Sequence, residues 1–298
     1  MQDSEIRLNS FRAWFLAARP KTLTGAAVPV MIALSLSWSD MGGHLRWLPA
    51  ILCLLFAFIM QIDANFINDY FDFKKGTDDE FRLGPKRACA QGWVTLGSMR
   101  KAILTTTLLA CLTGLPLILY GGWSMVAVGL LCVVFCFLYT THLSYLGLGD
   151  LLVLVFFGLV PVCCTYYLQT GQVTGLAVIA SLACGLVIDT LLVVNNYRDR
   201  DNDRRTGKIT LIVRIGESNS ERLYLALGII ACLLGICFLV NGYPWAFLLP
   251  LVYLLLHIFT YRRMLRIKKG KQLNDILGEN ARNMFIYGLL TSIGLLMG

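Results

Sequence analysis

The chain of 298 residues is 57% hydrophobic and 15% charged, with a formal net charge of +8 and a mean hydropathy of +0.66. This composition excludes an ordinary soluble domain and a disordered chain. A basic balance can signal a nucleic-acid partner, but here the placement of Lys and Arg relative to apolar stretches accounts for the charge through membrane topology alone.

A membrane span takes roughly 20 apolar residues, and about nine such stretches follow one another along the chain. Helices are predicted near Trp14–Trp38, Leu48–Phe73, Ser98–Tyr120, Trp123–Thr140, Leu151–Leu168, Val173–Tyr197, Ser220–Val240, Trp245–Arg263 and Ala281–Met297. The expected fold is all-α, a polytopic membrane bundle of about nine transmembrane helices with a polar cytoplasmic cap. It forms one domain over residues 1–298, since the loops are too short to fold alone. The first stretch follows basic residues, yet it is too long for a signal peptide and no small-x-small cleavage site follows it. With the N-terminus inside, every Lys and Arg except Arg46 falls on the cytoplasmic side or at its membrane boundary, which places a multi-pass protein in the cell (inner) membrane. Of the ten cysteines, Cys53, Cys111, Cys132, Cys136, Cys163, Cys164, Cys184, Cys232 and Cys237 lie in predicted spans and read as small apolar packing residues. Cys89 stands in a loop on the reducing side, and no Cys-x-x-Cys or Cys/His metal spacing occurs.

Polar residues gather at the cytoplasmic helix ends. Arg19-Pro20-Lys21-Thr22 opens the first helix. At the end of the second, Asn65, Asn68, Asp69 and Asp72 are spaced to share one face, and Gly76 should end the helix and release Asp78 into the loop. At the end of the sixth, Asn195, Asp199 and Asp203 follow at intervals of four. Two facing sets of carboxylate and amide oxygens suit Mg²⁺, a hard cation that commonly bridges carboxylate to substrate phosphate. Lys21, Lys74, Lys75, Lys86, Arg87, Arg198, Lys208 and Arg214 are the cations available to a diphosphate.

Charged cytoplasmic loops are ordinarily solvated, and topology alone accounts for most of these cations. Arg262, Arg263, Arg266, Lys268, Lys269 and Lys271 read as topology determinants that meet anionic lipid heads. Capping explains one or two acids but not two stripes at the ends of apolar helices, where carboxylates are costly. Asp150 is expected as the N-cap of the fifth helix; Asp63 and Asp189 lie deeper, with no role assigned. Phe66, Tyr70, Phe71, Tyr139, Phe156, Phe157 and Tyr197 are either ordinary packing aromatics or the lining of an isoprenoid tunnel whose ring faces stabilise a cation.

Asn68-Asp69-Tyr70-Phe71-Asp72 with Asp78 resembles the first Asp-rich motif of the UbiA superfamily of intramembrane prenyltransferases. Asn195-x-x-x-Asp199-x-x-x-Asp203 resembles the second. Within that superfamily, Gly76-Thr77-Asp78, Gly84-Pro85-x-Arg87, Gly147-Leu148-Gly149-Asp150, Asn195-Asn196-Tyr197-Arg198-Asp199 and Gly207-Lys208-x-Thr210-Leu211-x-Val213-Arg214 are similar to the 1,4-dihydroxy-2-naphthoate branch of menaquinone synthesis. The resemblance implies a nine-helix bundle open laterally to lipid and a Mg²⁺-dependent transfer of a polyprenyl group from its diphosphate to 1,4-dihydroxy-2-naphthoate. Carbon dioxide and diphosphate leave, and demethylmenaquinone forms in its reduced, hydroquinone state. It implies catalytic roles for Asn68, Asp69, Asp72, Asp199 and Asp203, metal ligation by Asn68, Asp69, Asp72, Asp78, Asn195, Asp199 and Asp203, and diphosphate binding by Lys21, Lys75, Arg87, Arg198, Lys208 and Arg214. Asn195 stands where several sister families have Asp, and Asp79-Glu80 leaves open which acid is the loop ligand. The competing expectations are another acceptor on the same fold, such as 4-hydroxybenzoate, and a transporter. A transporter calls for discontinuous helices and midplane polar residues, whereas the polar residues here cluster at one membrane face.

Overall fold

The computed structural model describes residues 6–76 and 83–298; Asp78, Asp79 and Glu80 lie outside the described residues. Among those described there is no strand. The long helices are α1 (Phe11–Asp40), α2 (Trp47–Lys75), α3 (Leu96–Gly121), α4 (Ser124–Thr141), α5 (Gly149–Thr170), α6 (Gly175–Arg205), α7 (Glu217–Val240), α8 (Pro244–Ile267) and α9 (Leu273–Leu296). The first 8 are long and apolar enough to cross a membrane. α9 has the length of a span but carries Asn274, Asp275, Glu279 and Arg282 in its first half.

Helix starts follow side-chain chemistry. Ser10, Thr95 and Thr174 each accept a hydrogen bond from a backbone N–H of the first turn they precede, which satisfies one of the donors that a helix start leaves over. α2 ends where Gly76 turns left-handed. Several ends differ from the hydropathy pattern. α6 continues to Arg205, beyond the expected Tyr197, and α9 begins at Leu273, ahead of the expected Ala281. Hydropathy marks where the hydrocarbon stops, whereas a helix propagates into the polar phase as long as its backbone bonds continue. α5 starts at Gly149 with Leu148 at its cap, so Asp150 lies in the first turn and is not the N-cap; an acid there still complements the helix dipole.

α1 is broken near its start, a feature that its apolar pattern does not carry. Arg19 is left-handed and Pro20–Thr22 forms one tight turn. Within a membrane the backbone groups freed by such a break need partners. Asn65 serves the Ala18 carbonyl and the Thr22 hydroxyl, donating to both at 2.9 Å, and that hydroxyl donates in turn to the Arg19 carbonyl at 2.9 Å.

α1 packs along α9 and the second half of α5, α6 packs against α5 and α7, and α8 lies on α9. Val28, Ile32, Leu36, Val162, Val187 and Tyr253 belong to the main core. α6 is the most enclosed span, while α3 and α4 are the least.

Candidate functional site

A cavity of about 1250 Å³ opens among α1 to α6 and the start of α9. At one end stand Arg19, Lys21, Asn68, Asn195 and Asn274; at the other, Leu115, Ile118 and Met125. Along α2 the lining runs from Cys53 to Asn68, a depth of about 22 Å at the helical rise. Of the aromatic candidates, Tyr139, Phe156 and Phe157 line this cavity. Phe66, Tyr70 and Phe71 pack elsewhere, around Met99 and Ile103. Tyr197 is buried and donates to Glu221 at 2.7 Å.

Each stripe reaches this mouth through one amide, Asn68 on α2 and Asn195 on α6, and the carboxylates of Asp72, Asp199 and Asp203 follow further along their helices. Asn68 lines the cavity, its amide oxygen accepting from the Thr140 hydroxyl. Asp72, one turn further, stands 3.6 Å from the buried Arg87 guanidinium. Asn195 lines the cavity from α6 and accepts from Arg198 at 2.8 Å. Asp199 receives two bonds from the same guanidinium, at 2.8 and 2.5 Å, and Asp203 is buried one turn beyond. The extension of α6 to Arg205 is what keeps these three on one stripe.

Asp69 has a different environment from its neighbours. It is fully buried and accepts the backbone N–H groups of Ala88 and Cys89, both at 2.9 Å; like Asp72, Asp199 and Asp203 it is not part of the cavity wall. Cys89, in the loop expected for it, is buried at this contact.

The expected cations divide likewise. Lys21 lines the mouth from the break in α1. Lys75 donates to the Thr140 and Thr141 carbonyls at 3.3 and 2.6 Å and lies 3.9 Å over the Tyr145 ring, with Lys208 at 5.8 Å from the same ring. Arg198 is buried and turned toward its own stripe. Arg214 donates to the Leu146 carbonyl at 2.9 Å and passes so near Gly147 that an added Cβ would stand 3.2 Å from its Nε and 3.0 Å from the Ile209 carbonyl. Gly147 also has a φ of 73°, so any side chain there is disfavoured twice.

Arg19 and Asn274 also line the mouth, and Thr140 touches it through Asn68; none of the three is an expected site residue. Asn274 falls in the stretch assigned to a loop before α9; apolar residues at Leu273, Ile276 and Leu277, at helical spacing, were the available signal. Asp63 is a tie between α2 and α3, accepting from Thr106 and Thr107 at 2.5 and 2.8 Å. Asp189 is buried on α6 outside the cavity wall, one oxygen having no partner.

No three acid, His or Cys side chains converge into a ready-made metal cluster among the described residues. The donor set at the mouth and in the next turns of α2 and α6 nonetheless fits Mg²⁺: it is all oxygen, drawn from amides and carboxylates, and a cation of that kind usually completes its shell with phosphate and water.

A family model described as the UbiA prenyltransferase family matches residues 26–289. The chain is 32% identical over 307 residues to the 1,4-dihydroxy-2-naphthoate octaprenyltransferase of Escherichia coli (strain K12), covering 99% of this chain and 98% of that protein. It is 33% identical over 293 residues to the Mycobacterium tuberculosis protein of the same name, covering 97% and 98%. Among solved structures, a UbiA homolog from Aeropyrum pernix K1 matches with a TM-score of 0.69 at 17% identity, over 93% of this chain and 97% of that one. A UbiA homolog from Archaeoglobus fulgidus bound to DMAPP and Mg²⁺ matches with a TM-score of 0.63 at 12% identity, over 94% and 99%.

Proposed function

Because the chain belongs to the UbiA prenyltransferase family, we propose that it transfers a polyprenyl group from polyprenyl diphosphate to 1,4-dihydroxy-2-naphthoate within the membrane. The observation that carries this reading is that two oxygen-rich stripes, on α2 and α6, enter the polar end of one deep apolar cavity through Asn68 and Asn195. The names of relatives similar over nearly their whole length support the naphthoate as acceptor. The whole chain, 1–298, acts as one domain, with the N-terminus and both stripes on the cytoplasmic face, where nearly all Lys and Arg lie.

The diphosphate occupies the mouth and the prenyl chain follows the apolar wall. Asn68, Asp72, Asp78, Asn195, Asp199 and Asp203 would hold Mg²⁺, which when bound supplies positive charge to the departing diphosphate. Lys21 adds charge from the cavity rim, with Lys75, Lys208 and Arg214 close by. Arg87 and Arg198 orient Asp72 and Asp199. The allylic C–O bond breaks and its electron pair leaves with the diphosphate. Tyr139, Phe156 and Phe157 present ring faces to the resulting cation, and the apolar wall excludes water that would quench it.

The naphthoate attacks through the ring carbon that bears its carboxylate, since its two hydroxyls make that carbon electron-rich. Cleavage of the bond to the carboxylate then returns an electron pair to the ring and releases carbon dioxide. Carboxyl-labelled acceptors test this with the purified protein. Label lost as gas from the naphthoate, with one diphosphate released per prenyl group, is expected. Retention of label in a prenylated 4-hydroxybenzoate, with the naphthoate inert, would move the chain to another branch of the family.

A further inference from the structure

We propose that Asp69 and Asn274 are positioning residues that clamp the segment 83–89 across the cavity mouth from its two ends and so lock the two acidic stripes into one unit. This role rests on the mouth being the diphosphate site, as argued above.

Asp69 sits between Asn68 and Asp72 in sequence, yet its carboxylate faces away from the cavity. Both oxygens take a backbone N–H, from Ala88 and Cys89 at 2.9 Å each. Bonds from amides to an ionised acceptor are among the stronger kinds, and a fully buried carboxylate that is already served on both oxygens has little to gain from turning outward. Arg87 immediately precedes the anchored pair and reaches Asp72. Asp69 and Asp72 lie three residues apart on α2, so the anchor and the ion pair grip one helical turn.

The other end of the segment is held by Asn274. Its Nδ2 donates to the Leu83 carbonyl at 2.8 Å and to the Lys271 carbonyl at 2.9 Å, and its Oδ1 accepts from Arg198 at 2.9 Å. Arg198 in turn holds Asn195 and Asp199. A continuous hydrogen-bonded path therefore runs from Leu83 through Asn274 and Arg198 to Asp199. Pro85, between the two anchors, lines the cavity, as does Asn274 itself. The segment is thus a roof over the mouth, fixed to α2 at one end and to α6 through α9 at the other.

The test uses full-length protein in detergent, with two readouts that need no substrate: alkylation of Cys89 by N-ethylmaleimide, followed by peptide mass spectrometry, and hydrogen exchange over residues 83–91. Asp69→Ala should speed Cys89 alkylation at least tenfold and raise KM for the prenyl diphosphate about tenfold, with the Mg²⁺ concentration for half activation moved less than twofold. Asp72→Ala should do the converse, shifting the Mg²⁺ dependence while Cys89 stays protected. Asn274→Asp keeps an acceptor for Arg198 but removes the donor to Leu83, and should speed exchange over 83–91. A Cys89 still protected in Asp69→Ala, or a Mg²⁺ shift there equal to that of Asp72→Ala, overturns the role of Asp69. Unchanged exchange in Asn274→Asp overturns the second anchor. If Asp69→Ala does not fold, Asp69→Asn, which can accept only one of the two amides well, decides on the same alkylation readout. A clamp that fails in an enzyme active on the naphthoate, or holds in one inert toward it, separates this proposal from the functional reading.

Discussion

Asp72 and Asp199, one helical turn beyond the cavity-lining Asn68 and Asn195, each face an arginine, and both arginines are themselves buried. Truncating either acid to Ala would take the carboxylate out of a buried pair, a change that costs about 3–5 kcal/mol. Asn keeps the shape and an acceptor while removing the charge, so it isolates the electrostatic contribution. Asp72→Asn and Asp199→Asn are expected to lower turnover by about 100-fold or more, the scale of losing one preorganised electrostatic contact to a developing charge. Their thermal midpoints in detergent should stay near that of the parent protein. Chelation of divalent cations should silence the parent as well, and full activity in excess chelator would sink the magnesium mechanism. The same acid type one residue away, Asp69, is spoken for by two backbone amides. Residue identity within a motif therefore does not determine role; the first group to reach each carboxylate does.

At the scale of helices, α3 is weakly enclosed and its attachment to α2 includes a polar tie. Thr106 and Thr107 both donate to the buried Asp63. In a membrane, packing and interhelical hydrogen bonds replace the hydrophobic effect as the force that joins helices. The double substitution Thr106→Val, Thr107→Val leaves both Asp63 oxygens without these donors and should lower stability by about 1–3 kcal/mol. KM for the prenyl diphosphate should change less than twofold, because Asp63, Thr106 and Thr107 lie off the cavity wall. Unfolding in denaturing detergent reads the first quantity and steady-state kinetics the second; a large KM change with unaltered stability would mean that the tie shapes the cavity. The break in α1 is a second element-scale device, since it points Lys21 at the mouth while Asn65 satisfies the backbone it disrupts.

Over the whole molecule, the proposed orientation, with both stripes inside and the end of α9 outside, rests on the charge distribution. The native Cys89 is too buried to report this. A cysteine introduced at the exposed Gln91 should react with a membrane-impermeant thiol reagent in inverted vesicles but not in intact cells, and a reporter fused after Gly298 should be active outside. Labelling of Gln91→Cys in intact cells would reverse the orientation. Local patterning was enough to recognise an all-helical membrane chain and to find both acidic stripes, because hydropathy over about 20 residues and spacing by three or four are properties of a single segment. Spacing assigns residues to a common face without saying what that face meets. That Asp69 turns to Ala88 and Cys89, and that Asn274 crosses to both Leu83 and Arg198, depend on contacts between residues 19 to 191 positions apart. Those contacts exist only once the helices have packed, and they decide which polar groups are left facing the cavity.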